Sequence, residues 1–572
     1  MNAARLLFLS AVTATACVTA RGRGSSAVTS GPQTRAERTN YLETSHYADV
    51  IAFLDSLHGR GDLAFGSIGT TTQSREIPYV IASRPRVSTP AEARRLGRPI
   101  VYIQGNIHAG EVEGKEALLA LLRDLTSSSR VNVLDSVVLI AVPIYNADGN
   151  EKFAAQEVNR GSQNGPALAG ERANAQGLDL NRDYVKAEAP ETRASLVMFN
   201  AWDPDVFVDL HTTDGSYHGY ALTYAPPLNP AAPLGTYTRD FLMPTLRARM
   251  QQRHGFATFD YGDFISDDTL SKGWATFDSR PRFGTNYYGL RGRIAILSEA
   301  YSHDPFQRRV ASTYAFVQEI LSLVADNAVT LRGLVAAASR HDSVVLSQDC
   351  FVNGCLPPAI ASLNAKAPKL QQGESAPLAG VIPIRSEMAA APQPVGVIAE
   401  ALERTGDSTR TEPGVPKGRR RTGRFSAVTM PVFDRFKPTV SVMPPAAYAL
   451  VGSDSAAVRL LRQHGITVEL LATDRAARTE VFVLDSAIKA PRIFQGHHEL
   501  RLTGRWVNEP RRIPAGSYLV RTTQPLGLLA VYLLEPQSDD GLVTWNFFDS
   551  SLKPGAAYPV LRVLNDSRPD SR

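Results

Sequence analysis

At 572 residues the chain is too long for one domain, and 43% hydrophobic with 20% charged content is that of a globular protein, which excludes a fibrous or wholly disordered one. The formal net charge of +5 comes from scattered arginines, so it gives no ground for a nucleic-acid partner and reads as solvated surface. Two or three domains are expected.

The first twenty residues have the amino terminus and Arg5 as a positive head, an apolar run from Leu6 to Ala16, and small residues through Ala20. They predict an export signal too short to span a bilayer, and hence a periplasmic or extracellular protein. Two processing routes are open: cleavage after Ala20, or lipoprotein processing with Cys17 as a lipidated, membrane-tethered terminus. Cys350 and Cys355 flank an Asn-Gly turn that can close a small disulfide loop, in keeping with an oxidising compartment. Residues 21–40 read as a flexible spacer, rich in Gly, Ser and Arg through Thr34, with order beginning near Tyr41.

From there to about residue 330, apolar strands alternate with helices. A helix is predicted over Thr44 to Leu57, strands over Ala64 to Ile68 and Ile77 to Ser83, and a buried strand over Pro99 to Gln104. A glycine-bearing loop then carries His108 and Glu111, three apart, so that an imidazole and a carboxylate can turn towards one point, and an apolar helix follows to Leu125. Further buried strands are expected over Val137 to Tyr145, Val206 to Leu210 and Arg293 to Ser298. Glu151 to Gln176 reads as a long loop over the active face. The helix Phe306 to Ala325 would close the domain. This pattern indicates a doubly wound α/β fold, whose ligands gather at the carboxyl ends of strands, and His108, His211 and Glu299 all fall at such ends. A glutamate ending so apolar a strand as Ile294 to Glu299 is costly to bury unless something uses it.

Residues 331–437, rich in Pro, Gly and Arg over 365–430, read as a connecting region with an exposed basic loop at Lys417 to Arg421. Residues 438–572 read as a smaller β-rich accessory domain. Its strands are expected at Thr467 to Leu471, Gly516 to Arg521 and Leu528 to Leu534, with one helix at Ser455 to His464.

Taken together, His-Ala-Gly-Glu at 108–111, Gly-Leu-Asp-Leu-Asn-Arg-Asp-Tyr at 177–184, Val-Phe-Val-Asp-Leu-His at 206–211 and Ile-Ala-Ile-Leu-Ser-Glu-Ala-Tyr at 294–301 resemble the M14 zinc carboxypeptidases. The likeness covers roughly residues 41 to 325 and is to secreted bacterial members with a β-rich extension. It implies a doubly wound mixed sheet of the carboxypeptidase type and one zinc ion held by His108, Glu111 and His211, a known catalytic zinc set that leaves one position open. It further implies Glu299 as general base and Arg172 as the group facing the oxyanion, with Arg160 a competing candidate. Asn181 and Arg182 would grip the substrate's terminal carboxylate. Asp179 would hydrogen-bond a metal-binding histidine, and Tyr287 or Tyr288 would close over the substrate. Glu113, Asp209, His218 and His303 receive no catalytic role.

The expected activity is removal of one residue from a peptide with a free carboxyl end, side-chain preference being set by loops between His211 and Tyr288. A zinc amidohydrolase acting on cell-wall peptides or acylated amino acids is the rival within enzymes. An inactive peptide-binding homologue is the rival outside them.

Overall fold

Three apolar runs, Ile100–Gly105, Val138–Val142 and Val206–Thr212, are buried at every position, and strands of that kind sit at the centre of a sheet covered on both faces. The computed structural model describes residues 31–127, 130–230, 234–266, 269–341, 375–406, 418–452 and 455–565. The expected export signal, Cys17, the Cys350 and Cys355 pair and Lys417 lie outside the described residues.

The main sheet has eight strands: β1 (Leu63–Thr70), β2 (Glu76–Ala82), β3 (Ile100–Gly105), β4 (Val138–Val142), β5 (Val206–Thr212), β6 (Leu222–Ala225), β7 (Thr258–Asp260) and β8 (Ile294–Ala300), in the order β1-β2-β4-β3-β5-β8-β6-β7. Pairings of β3 with β4 and β5, of β5 with β8 and of β6 with β7 are parallel, and the rest are antiparallel. Side chains alternate between the two faces, as a pleated strand requires. Val101, Ile103, Val208 and Ile296 pack under α1 (Tyr47–Ser56), α2 (Glu113–Leu125), α5 (Phe306–Asp326) and α6 (Ala328–Ser339). Tyr102, Ile140 and Phe207 pack under α3 (Pro190–Trp202) and α4 (Gly284–Leu290). Among the described residues no single helix is long and apolar enough to cross a membrane; α5 and α6 meet at 83°.

Several boundaries depart from the sequence reading. Order begins before Tyr41: Thr34 and Glu37 form a capping box around the turn Arg35–Arg38, and Ala36 is buried in a cluster with Phe306. The stretch 151–176 is not wholly loop, since 154–155 pairs with 168–169 around a short helix at Gln156–Asn159. The expected connecting loop is largely strand. β9 (Ile382–Ala389) pairs with β12 (Arg435–Val442), and β10 (Val395–Arg404) with β11 (Arg419–Met430). The arginines that made it read as loop, Arg420 and Arg424, sit on the exposed side of a hairpin, both paired with Glu403.

Beyond it, β13 (Ala447–Leu450), β14 (Glu469–Leu470), β15 (Thr479–Lys489), β16 (Leu500–Asn508), β17 (Tyr518–Arg521) and β18 (Val560–Val563) form a second sheet in the order β14-β17-β13-β18-β15-β16. The helix α7 (Ser455–Gln463) falls where expected. Leu528 to Leu534, expected as a strand, is instead part of α8 (Gly527–Leu534). An apolar run of eight has no period to separate strand from helix, and here leucine and alanine, strong helix formers, outnumber the β-branched residues. α8 is buried all round and joins a core continuous with that of α3 and α4.

Candidate metal centre and active site

β3 ends at Gly105, and Asn106 turns the chain through φ 66°, a conformation asparagine tolerates better than most residues. Its side-chain amide donates to the Ala109 carbonyl at 3.1 Å, which shapes the loop carrying His108 and Glu111. Gly110 is there for space: a Cβ at that position would lie 2.6 Å from Cγ of Arg160 and 2.8 Å from the Gly170 carbonyl oxygen. β5 carries His211 one residue before its end, and β8 places Glu299 directly beside it in parallel register. Three strand ends therefore deliver four groups to one edge of the sheet.

His108, Glu111 and His211 are each buried to 3% exposure or less. His108 Nδ1 lies 3.0 Å from Glu111 Oε1, His211 Nδ1 lies 2.9 Å from Glu111 Oε2, and the two Nδ1 atoms are 3.2 Å apart. Bonds of about 2.0 Å in a tetrahedral zinc site put neighbouring donors roughly 3.3 Å apart, so this donor set fits zinc in identity and in spacing. A cation also explains why two imidazole nitrogens face each other, an arrangement otherwise available only if one is protonated.

The outward nitrogens face carboxylates as well. Asp179 Oδ1 is 2.9 Å from His108 Nε2, and Asp209 Oδ2 is 3.1 Å from His211 Nε2. Such partners fix the ring orientation and tautomer of metal-binding histidines. Asp209 received no catalytic role from sequence; it sits two residues before His211 on the same face of β5 and is fully buried. Burial alone would raise the Glu111 carboxyl, but the His108 and Arg160 charges hold it well below the ordinary carboxylate range. Burial pushes Glu299 well above that range, with His211 opposing and Glu111 adding to the rise. A cation at the three donors would pull it back towards the ionised form.

The two candidate arginines separate by position. Arg160 is 8% exposed and donates to Glu111 Oε1 at 3.0 Å and to the Thr212 and Thr213 carbonyls at 3.1 and 3.2 Å, so it braces the ligand loop from behind. Arg172 lines the cavity, its side chain 35% exposed, with Nε 3.0 Å from Asp179 Oδ2 and Nη1 3.4 Å from Glu111 Oε1. Asn181 accepts the Gly284 amide at 2.9 Å. Arg182 donates to the Asn181 carbonyl and lies over the Phe283 ring at 4.0 Å, while its carboxylate neighbour, Asp179, is 3.9 Å away.

With this geometry in place, the match to known proteins is specific: residues 50–232 fit the family described as zinc carboxypeptidase. Over that stretch the chain is similar to a zinc carboxypeptidase domain. The match and the carboxypeptidase relatives support a metallocarboxypeptidase. Carboxypeptidase 2 of Trichophyton tonsurans is 23% identical over 520 residues, covering 86% of this chain and 81% of that protein. Mouse carboxypeptidase D is 32% identical over 152 residues, 22% of this chain and 11% of that one. Among solved structures, a metallo-carboxypeptidase from Burkholderia cenocepacia aligns with TM-score 0.36 and 19% identity, covering 49% of this chain and 69% of that chain.

The three donors open on a cavity of about 120 Å³. Arg172, Asn181, Arg182 and Glu299 line it. Tyr287 and Tyr288 do not. Both are fully buried on α4, Tyr288 stacked on Phe199 at 3.9 Å between ring centres and Tyr287 hydrogen-bonded to His464 at 2.6 Å, so the expectation that one closes over the substrate is corrected. The aromatic walls are Tyr261, Phe277 and Phe283, with Leu297 beside them. They come from loops without periodicity, and no spacing in the sequence marks them.

Proposed function

We propose that the chain is a zinc exopeptidase that hydrolyses the last peptide bond of a substrate with a free carboxyl end. The observation that carries this is one cavity in which a His-Glu-His donor set, an adjacent glutamate and two arginines converge. Zinc held by His108, Glu111 and His211 would supply positive charge that acidifies a water molecule and polarises the scissile carbonyl. Glu299 takes the proton from the attacking water and passes it to the departing amine. Arg172, whose charge is kept by Asp179 and Glu111 against the cost of burial, stabilises the oxyanion that forms at the carbonyl carbon. Arg182 and Asn181 hold the terminal carboxylate, a planar anion suited to a guanidinium fork. Tyr261, Phe277, Phe283 and Leu297 present no charge, which favours a bulky apolar side chain at the terminal residue. We place the enzyme outside the cytoplasm, on the strength of the apolar run Leu6 to Ala16 with its basic head.

The test is Glu299→Gln, which keeps shape and hydrogen bonding but removes the basic oxygen. Turnover of a peptide ending in phenylalanine should fall by at least about 10²-fold with zinc still bound. A variant that keeps its activity, or a wild type fully active after chelation, would falsify the mechanism.

A further inference from the structure

The carboxylate that orients His108 is itself held from the far end of the chain. Asp179 accepts His108 Nε2 and the Asn181 amide on Oδ1 and the Arg172 Nε–H on Oδ2, so its position sets a metal ligand and a cavity arginine together. Its own backbone N–H donates to the side-chain oxygen of Gln495, at 2.9 Å. Gln495 belongs to a tight turn closed by reciprocal backbone bonds between Phe494 and His497 at 2.8 and 3.0 Å. It has φ 50°, in the left-handed region where glycine is cheaper. A non-glycine residue at such a position points to use of its side chain.

This turn is not loosely placed. Arg282, 2% exposed, bonds Asp540 through its backbone N–H at 2.7 Å and through Nε and Nη2 at 3.0 and 2.8 Å, and bonds Glu499 at 2.6 Å. It immediately precedes Phe283, a cavity wall and the ring under Arg182. His497 bonds Glu188 at 3.0 Å on the other side. The second unit thus grips both the Asp179 segment and the loop that forms the cavity wall.

We propose that Gln495 is a positioning residue for the metal centre, and that the C-terminal unit completes the active site. The proposal rests on the zinc-site reading above. Loss of one such hydrogen bond should cost about 3- to 10-fold in zinc affinity, since it acts on the residue that orients a ligand. The test compares Gln495→Met, which keeps length and backbone strain but accepts no hydrogen bond of this strength, with Gln495→Glu, which keeps an acceptor. The zinc dissociation constant of the full chain is read by competition with a chromogenic chelator, alongside the melting temperature. The expected result is a Kd raised about 3- to 10-fold in Gln495→Met and within about 2-fold of wild type in Gln495→Glu, with both melting like the wild type. An unchanged Kd in Gln495→Met, whatever its melting temperature, overturns the proposal, as does an equal loss in Gln495→Glu. A wild type that binds zinc but cleaves no peptide defeats the exopeptidase reading alone, because the Kd ratio is read without substrate. A wild type that binds no zinc defeats both.

Discussion

Each histidine of the proposed metal centre has a carboxylate behind it, and the two carboxylates differ in how far they could be read from sequence. Asp179→Asn and Asp209→Asn should each weaken zinc binding by roughly 10- to 100-fold while leaving the fold intact, because each removes a partner that fixes a ring rather than a ligand. Isothermal titration with zinc decides this, and affinity equal to wild type in both variants would show that the rings are held by packing. His108, Glu111 and His211 were legible because a motif and a strand end coincide at each. Asp209 was legible in principle from its two-residue spacing to His211. Tyr261, Phe277 and Phe283 were not, since aperiodic loops carry them and only the fold brings them together.

At the scale of elements, alternation and burial pattern located the central strands of the main sheet within one to three residues, because a strand buried on both faces leaves a continuous apolar run. The same signal failed for Gly527–Leu534, where burial all round gave a helix an equally apolar sequence. At α4 the family resemblance, not this signal, implied that Tyr287 or Tyr288 closes over the substrate, whereas Tyr288 packs between Phe199 and Phe207 at ring distances of 3.9 and 4.2 Å. Tyr288→Phe should therefore keep kcat and KM within about 2-fold, since the ring packing is retained. Tyr288→Ala should lose about 3 to 5 kcal/mol of stability, the usual cost of truncating a buried aromatic ring. Chemical denaturation and peptide kinetics on both variants check this, and a large loss of activity in Tyr288→Phe without loss of stability would return the tyrosine to the substrate.

In the whole molecule, one apolar core runs from the α3 and α4 face of the main sheet into the C-terminal unit, so the two do not meet as independent bodies. Their polar contact at His497 and Glu188 makes this junction sensitive to pH. The hydrogen bond that His497 donates to Glu188 raises the imidazole above its ordinary value of 6.5, and burial opposes it less strongly. Burial would raise Glu188, yet His497 and Lys186 hold it below its ordinary value of 4.5. A raised histidine contributes stability fully below its unfolded pKa and loses it as pH rises through the folded value; a depressed carboxylate contributes above its unfolded pKa and loses it as pH falls through the folded value. The pair is thus strongest between about pH 4.5 and 6.5. The melting temperature of His497→Gln should fall below wild type in that window, with the gap closing as pH rises through the raised His497 value. A gap that is constant across pH would mean the contact is steric.

The central claim is that the cavity recognises a free carboxyl end, and it is tested most directly by comparing kcat/KM for one peptide ending in phenylalanine with that for its amidated twin. Charged hydrogen bonds to a carboxylate are worth about 1.5 to 3 kcal/mol, and each 1.4 kcal/mol is about tenfold, so wild type should prefer the free acid by at least roughly 10-fold. Arg182→Ala should erase most of that preference by slowing the free acid. Equal cleavage of both peptides by the wild type, or cutting within a long chain, would contradict the account and favour an amidohydrolase or endopeptidase on the same donor set.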